Sequence, residues 1–272
     1  MKDIFRLDNG NLLFHFSDRI SAFDVQMTST VPRKGQVLCR FGEFWFKSLR
    51  FPHHMVGVTN ETAMEVKRLE MIPLECVVRG YLYGSLYDRQ CKQTVKDLRN
   101  PIQPKASRLP RPIFDPTTKS QDHDVPITRN DAIRLKHVSG NDYDYLEEVS
   151  IKLYERMSKI VESKGFIIAD VKFEFGKEPK TGDILLGDSI GPDEFRLWLR
   201  ADYSPGEDQG SFDKQVLRDW LIKTGFRNRV ELSVNRGSTI DAPPLPGEIV
   251  TELTRRYVWA YEKITCTQLN HV

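Results

Sequence analysis

Apolar and polar positions change period several times along this chain, and the changes mark out its elements. "DIFRLDNGNLLFHFSD" sets two apolar runs on either side of Asp8-Asn9-Gly10-Asn11, which predicts a hairpin. "DVQMTSTVPRKGQVL" continues in extended style and breaks at Pro32 and Gly35. "LCRFGEFWFKSLRF" has helical spacing and stops near Pro52. "AMEVKRLEMIPLECVVRGYLYGS" runs from one strand through Met71-Ile72-Pro73 into another, and a domain junction is expected there. Residues 100–128 hold six prolines and little periodicity, so a long loop is expected, of a kind ordered proteins seldom keep without using it. Helices follow. "TRNDAIRLKHV" starts after a Thr128 cap, and "NDYDYLEEVSIKLYERMSKIVESKG" ends at Gly165. In the second, Tyr145, Val149, Leu153, Met157 and Ile160 form a stripe read as core packing. "PGEIVTELTRRYVWAYEKIT" is a further amphipathic helix.

One strand departs from simple patterning. In "IIADVKFEFG" (167–176), Ala169, Val171, Phe173 and Phe175 share one face, and Asp170, Lys172 and Glu174 share the other. An ordinary half-buried strand with its charged face in water has the same alternation. The turn-rich "KEPKTGD" and then "ILLGDSIGPDEFRLW" predict a hairpin whose return strand carries Asp188. With a loop centred near Thr181, Glu174 and Asp188 lie opposite each other, Cβ atoms ~5 Å apart; a one-residue slip undoes this. Two carboxylates so placed repel unless a cation sits between them, and Mg²⁺, which takes one or two carboxylates plus water and phosphate oxygens, fits that role. Lys172 projects from the same face, towards a phosphate or carboxylate.

Composition narrows the field. A chain of 272 residues makes one large or two modest domains. Its 40 basic and 38 acidic residues nearly cancel, so attraction for anions must be local. Basic and aromatic residues mingle in "RLPRPIF" and "FRLWLRADY", but there is neither a basic excess nor an RNP-type motif to favour an RNA-binding module. Four scattered cysteines without a CxxC pair, and histidines without ligand spacing, leave zinc and thioredoxin-type chemistry unsupported. No apolar run approaches ~18 residues and "MKDIFRLDNGN" lacks a signal-peptide core, so a soluble, cytoplasmic protein is expected. Nothing in the pattern fixes an oligomeric state.

Local positive charge does occur beside small residues. "VVRGYLYGS" offers Arg79, flexible backbone at Gly80 and Gly84, and the hydroxyl of Ser85; "FRLW" adds Arg196 and "SFDKQVLRDWL" adds Arg218 on a predicted helix. Arginine suits bidentate capture of phosphate or carboxylate, although any one of these alone has the look of a surface salt-bridge residue.

Taken together, "MIPLECVVRGYLYGS" and "IIADVKFEFG" resemble the two signature stretches of the SAICAR synthetase (phosphoribosylaminoimidazole-succinocarboxamide synthase) family of purine-biosynthesis enzymes. "SDRISAFD", "KGQVL" with "FWF", "PIFDPTTKSQDHD", "GDSIGPDEFRLW", "SFDKQVLRDWL" and "PPLPGEIVTELTRRYVWAYEKI" agree too, in order, from about residue 2 to residue 264. The resemblance implies an α+β, two-lobe fold related to ATP-grasp and kinase-like nucleotide folds. A small N-terminal β-rich lobe is expected over 1–73 and a larger α+β lobe over 74–272, with ATP in the cleft. It implies an ATP- and Mg²⁺-dependent ligase that joins carboxyaminoimidazole ribonucleotide (CAIR) to L-aspartate through an acyl phosphate.

By the same resemblance, Glu174 and Asp188 hold Mg²⁺ on the ATP phosphates, and Lys172 contacts the reacting carboxylate or the transferred phosphoryl group. Arg79, Ser85, Arg196 and Arg218 fall at positions for the ribonucleotide's anionic groups. Glu70 and Met71 form a hinge whose backbone meets adenine, with Val66 packed on that ring. Asp124 orients the aspartate amine or a second metal. No residue marks itself as a dedicated general base, so the amine enters neutral or loses its proton to phosphate. The family's opening Gly-Lys-Val-Arg-Asp-Ile-Tyr is here Met1-Lys2-Asp3-Ile4-Phe5. Lys2 matches the second basic residue, and loss of the preceding Gly-Lys implies a weaker grip on the triphosphate, or a binding protein without turnover. Arg33 stands where glycine is common, and "HDVPIT" where "HDENIS" is usual, so the aspartate-side loop is expected to differ.

Overall fold

The hairpin at the start of the chain follows from its turn chemistry. In this computed structural model, which describes residues 1–96, 103–119, 125–235 and 240–269, β1 (Lys2–Arg6) pairs antiparallel with β2 (Leu12–Phe16), from Lys2↔Phe16 to Arg6↔Leu12. Gly10 adopts φ 86°, which a side chain would resist, and its N–H donates to the Leu7 carbonyl at 3.0 Å. Next come β3 (Arg19–Ala22), β4 (Val25–Thr30), α1 (Lys34–Leu49), β5 (Met55–Asn60) and β6 (Ala63–Val66). These are followed by β7 (Glu70–Tyr81), α2 (Ser85–Lys96), β8 (Arg108–Phe114), β9 (Thr117–Thr118), α3 (Arg129–Arg134) and α4 (Gly140–Glu162). The chain continues through β10 (Phe166–Lys177), β11 (Ile184–Leu186), β12 (Phe195–Leu199), α5 (Gln215–Lys223), α6 (Phe226–Asn235) and α7 (Gly247–Thr265).

Two compact units share these elements. Met1–Met71, Gly176–Asp193 and Phe212–Val272 form the first; Ile72–Phe175 and Glu194–Ser211 form the second. They are interleaved in sequence, whereas the expected lobes 1–73 and 74–272 are contiguous. The chain changes unit inside β7, at Met71/Ile72, and again inside β10, at Phe175/Gly176.

In the first unit, β1, β2, β6 and β5 make an antiparallel sheet in that order, and α1 packs against α7. Helix α1 begins where the chain supplies an acceptor: Asp18 takes the Gly35 N–H at 2.8 Å and the Arg33 N–H at 3.3 Å, satisfying donors that have no partner within the helix. Its buried Phe41 meets Tyr261 of α7 edge-on, ring centroids 5.2 Å apart. In the second unit, β10 and β8 flank β7, β12 pairs with β10, and β9 with β7. Tyr81, Tyr83, Ile167, Ala169 and Trp198 form a buried cluster there.

Three expectations need correction. The proline-rich stretch 100–128 is not one loop: "RLPRPIF" forms β8 at an edge of the sheet, where a missing N–H can be tolerated. Pro73 does not interrupt β7. The helical stripe on α4 turns through Tyr143, Leu146, Val149, Leu153 and Met157, while Tyr145 is 43% exposed. The predicted helix start stands, with Thr128 Oγ1 accepting from Asp131 N–H at 3.2 Å. No helix among the described residues is long and apolar enough to cross a membrane.

A Cβ on Gly35 would stand 2.6 Å from the Phe16 carbonyl oxygen, a backbone atom that cannot swing aside. Gly35→Ala should therefore destabilise the protein by about 1–3 kcal/mol, read as a lower urea midpoint with an unchanged slope; an unchanged midpoint would refute this packing argument.

Candidate functional site

The charged face of β10 is not in water. Asp170 and Glu174 are only 5% and 6% exposed, and buried carboxylates need cationic or hydrogen-bonding partners. Asp170 finds Arg79 of β7 and Arg196 of β12, and Glu174 finds Lys119 and Lys172; on β7, Glu75 and Arg79 share a face because they are an even number of residues apart. Lys172 Nζ donates to Glu75 Oε1 at 2.6 Å and reaches Glu174 Oε1 at 3.4 Å. Lys119 Nζ donates to the other Glu174 oxygen. Thr117 Oγ1 donates to Glu75 Oε2 at 3.0 Å. Burial by itself would lower the Lys172 pKa, but Glu174 and Glu75 outweigh it and hold the ammonium well above the usual lysine range. Lys172 is therefore a fixed cation and no proton acceptor.

Further along the same strands, Arg79 is held on three nitrogens. Its Nε donates to Asp115 at 2.5 Å, Nη1 to Asp170 at 3.1 Å and Nη2 to Ser85 Oγ at 3.0 Å. Arg196, in register with Asp170 on β12, donates to the same carboxylate. Arg89 Nη2 bonds both Asp115 oxygens at 2.7 Å. Gly84, at φ 57°, lies under the Arg196 guanidinium; a Cβ there would be 2.8 Å from Nη2. Ser85 opens α2 and is exposed. A hydroxyl, a helix N-terminus and oriented guanidinium groups together suit a phosphate or carboxylate.

The first unit holds the remaining predicted residues. Lys2 Nζ donates to Asp188 Oδ1 and lies 5.0 Å from the Phe14 ring centroid. The predicted hairpin closes through Glu178 N–H to Asp183 carbonyl at 2.9 Å, centred as expected. However, β11 ends at Leu186, so Asp188 is not on the return strand: it sits beyond it in a bend, at φ 50°. The bend is fastened by His54 Nε2 on the Asp188 carbonyl at 2.8 Å. Burial pushes the His54 pKa down to about 4 against the opposing pull of Asp188, so the ring is neutral and Nε2 carries the donated proton. The far end of the loop is anchored by Asp193, which takes a hydrogen bond from Lys34 Nζ at 2.7 Å and one from Tyr257 OH at 3.1 Å.

Val66 is fully buried, while Glu70 and Met71 start β7 exposed. Gly176 lies flush against them: a Cβ would be 2.7 Å from Leu69 Cβ and 3.1 Å from the Glu70 carbonyl oxygen. Arg218 is half-buried on α5.

The structure thus brings Lys172 to Glu174, Arg79 to Ser85, Arg79 and Arg196 to Asp170, and Lys2 to Asp188. Glu174 and Asp188 belong to different units. Asp124 lies outside the described residues. Glu75, Lys119, Asp115, Arg89 and His54 were missed in the sequence. For Glu75 a signal existed, its even spacing from Arg79; the others depend on contacts distant in sequence.

Comparison with known proteins gives concordant results. The SAICAR synthetase family model matches residues 1–232. The phosphoribosylaminoimidazole-succinocarboxamide synthase of Nitrosopumilus maritimus is 47% identical over 97% of this chain and 96% of its own. That of Saccharomyces cerevisiae is 36% identical over 100% and 94%. Among solved structures, S. cerevisiae SAICAR synthase complexed with SAICAR superposes with TM-score 0.80 at 34% identity, over 99% of this chain and 94% of that one. A SAICAR synthetase in complex with ADP gives 0.76 at 28%, over 99% and 97%.

Competitive acetylation near pH ~9 should label exposed lysines and spare Lys172, because its proton is retained. Labelling of Lys172 at the rate of an exposed lysine would contradict the double carboxylate clamp.

Proposed function

The chain belongs to the SAICAR synthetase family, and from that premise we propose that it is the ATP-dependent ligase that joins the carboxylate of CAIR to the amino group of L-aspartate, giving SAICAR, ADP and phosphate in purine biosynthesis. The observation that carries this is the likeness to phosphoribosylaminoimidazole-succinocarboxamide synthases along nearly the full length of both chains.

The chemistry explains the charges. A carboxylate resists attack by an amine because its leaving group would be oxide. Transfer of the γ-phosphoryl group of ATP to the CAIR carboxylate gives an acyl phosphate; the aspartate nitrogen then bonds to the acyl carbon and phosphate departs with the C–O bond's electron pair. Three anionic reactants must meet, so fixed positive charge is the chief requirement. In this reading Lys172 stabilises the reacting carboxylate and the phosphoryl group in flight as a permanent cation. Ser85, Arg196 and Arg218 receive the anionic groups of the ribonucleotide, with Arg79 holding Ser85 and Asp170 in place. The backbone of Glu70 and Met71, flush on Gly176, meets adenine, and Val66 packs under it. Lys2 meets the triphosphate, and Asp124 orients the aspartate amine. With Lys172 unable to take a proton, the amine arrives neutral or passes its proton to phosphate.

Glu174 and Asp188 are hard oxygen donors, each now carrying a lysine counter-charge where a divalent cation could stand. Among the described residues no cluster of three metal-ligating side chains exists, so Mg²⁺ at either acid needs phosphate oxygens to complete its shell. When bound, the ion supplies charge neutralisation for the triphosphate.

Purified protein with ATP, Mg²⁺, CAIR and L-aspartate should release ADP in step with SAICAR; ADP and amide product at background would reject the assignment. Glu174→Gln and Asp188→Asn should each raise the Mg²⁺ requirement and lower turnover by at least ~100-fold. Wild-type magnesium dependence in either would remove that residue from the metal.

A further inference from the structure

We infer that His54 is a positioning residue for Asp188: it sets the direction of that carboxylate by gripping its main chain, without touching any reactant. The inference rests on the reading of Asp188 as an acid that faces the metal.

Asp188 occupies left-handed backbone, φ 50°, a region disfavoured for a residue with a Cβ. Aspartate adopts it more readily than most residues, and here its surroundings hold it there. The surroundings are specific. Residues 52–54 run beside β11: Leu186 N–H donates to the Pro52 carbonyl at 2.9 Å, and His54 N–H to the Leu186 carbonyl at 3.1 Å. His53 and Leu186 form a parallel bridge. Two residues past that zipper the backbone turns, and there the His54 ring, on the neighbouring segment, donates from Nε2 to the Asp188 carbonyl. The same residue's carboxylate receives Lys2. One side chain therefore fixes the peptide whose orientation decides where the carboxylate points.

The ring cannot wander. It is 2% exposed and boxed edge-on by Phe14 and Phe46, each with its centroid 5.5 Å away. A polar ring in so apolar a box has one productive orientation, the one that spends its proton on the carbonyl. This is the protein-side counterpart of the outer partners that orient metal-binding side chains elsewhere.

The test uses Mn²⁺ binding to the protein saturated with a non-hydrolysable ATP analogue, read from loss of the free-ion EPR signal. His54→Phe keeps the ring packing and deletes the donor. His54→Gln keeps a donor at nearly the Nε2 position. His54→Phe should weaken Mn²⁺ binding about 10-fold while His54→Gln stays within about threefold of wild type. Thermal midpoints are measured alongside, and His54→Asn, whose amide stops short of the carbonyl, replaces the phenylalanine variant if that does not fold. Asp188→Asn is run in parallel. If it weakens binding and the donor-deleted variant does not, the positioning role is wrong and the reading of Asp188 survives. If Asp188→Asn also binds as wild type, that reading fails and the inference goes with it. A glutamine variant as weak as the donor-deleted one would assign the effect to ring shape and overturn the inference too.

Discussion

The architecture of the second unit turns on one constraint: three ionisable groups on a buried strand must find opposite charge on the strands beside it. Asp170, Lys172 and Glu174 do so against Arg79 and Arg196, Glu75, and Lys119 respectively. The pairing of β7 with β10 is thereby specified twice, by the apolar face and by the order of charges. A shift of one residue would carry Lys172 to the apolar face. Ion pairs of this depth add little net stability, since desolvation offsets their attraction, but they select one arrangement.

That arrangement also orients the cations in advance. Each is held by acids that set its position before any ligand arrives: Lys172 by Glu75 and Glu174, Arg79 by Asp115 and Asp170. A lysine in water would reorganise as charge moved; these are already oriented, and preorganisation of this kind is the largest electrostatic contribution many enzymes make. The first unit applies the same logic with different parts. Asp188 and Asp193, five residues apart, are fastened by His54 and by Lys34 with Tyr257.

Much of this was legible in the sequence because it is local. The Asn-Gly hairpin, the Thr128 cap, the stop of α4 in the turn before Gly165 and the alternation on β10 each depend on neighbours within a few residues. The interpretation of that alternation was not local. Whether the charged face met water or partners depended on Glu75, Arg79 and Lys119, which lie 97, 91 and 55 residues away from the β10 groups they meet. Asp188 was expected on a strand because "ILLGD" reads as extended; aspartate tolerates a positive φ, but that it adopts one here goes with contacts to Lys2 and His54, far away in sequence. Likewise "RLPRPIF" read as loop from its prolines, whereas the requirement is weaker: proline is excluded from a strand's paired interior, not from its outer margin.

That outer margin has a consequence for how the molecule behaves in crowded solution. On β8 the two positions held by Pro110 and Pro112 have no amide hydrogen to offer. A foreign extended segment laid alongside would find the row of donors broken, and could not continue the ladder outward. That border of the sheet is thus poorly able to seed growth into fibrils.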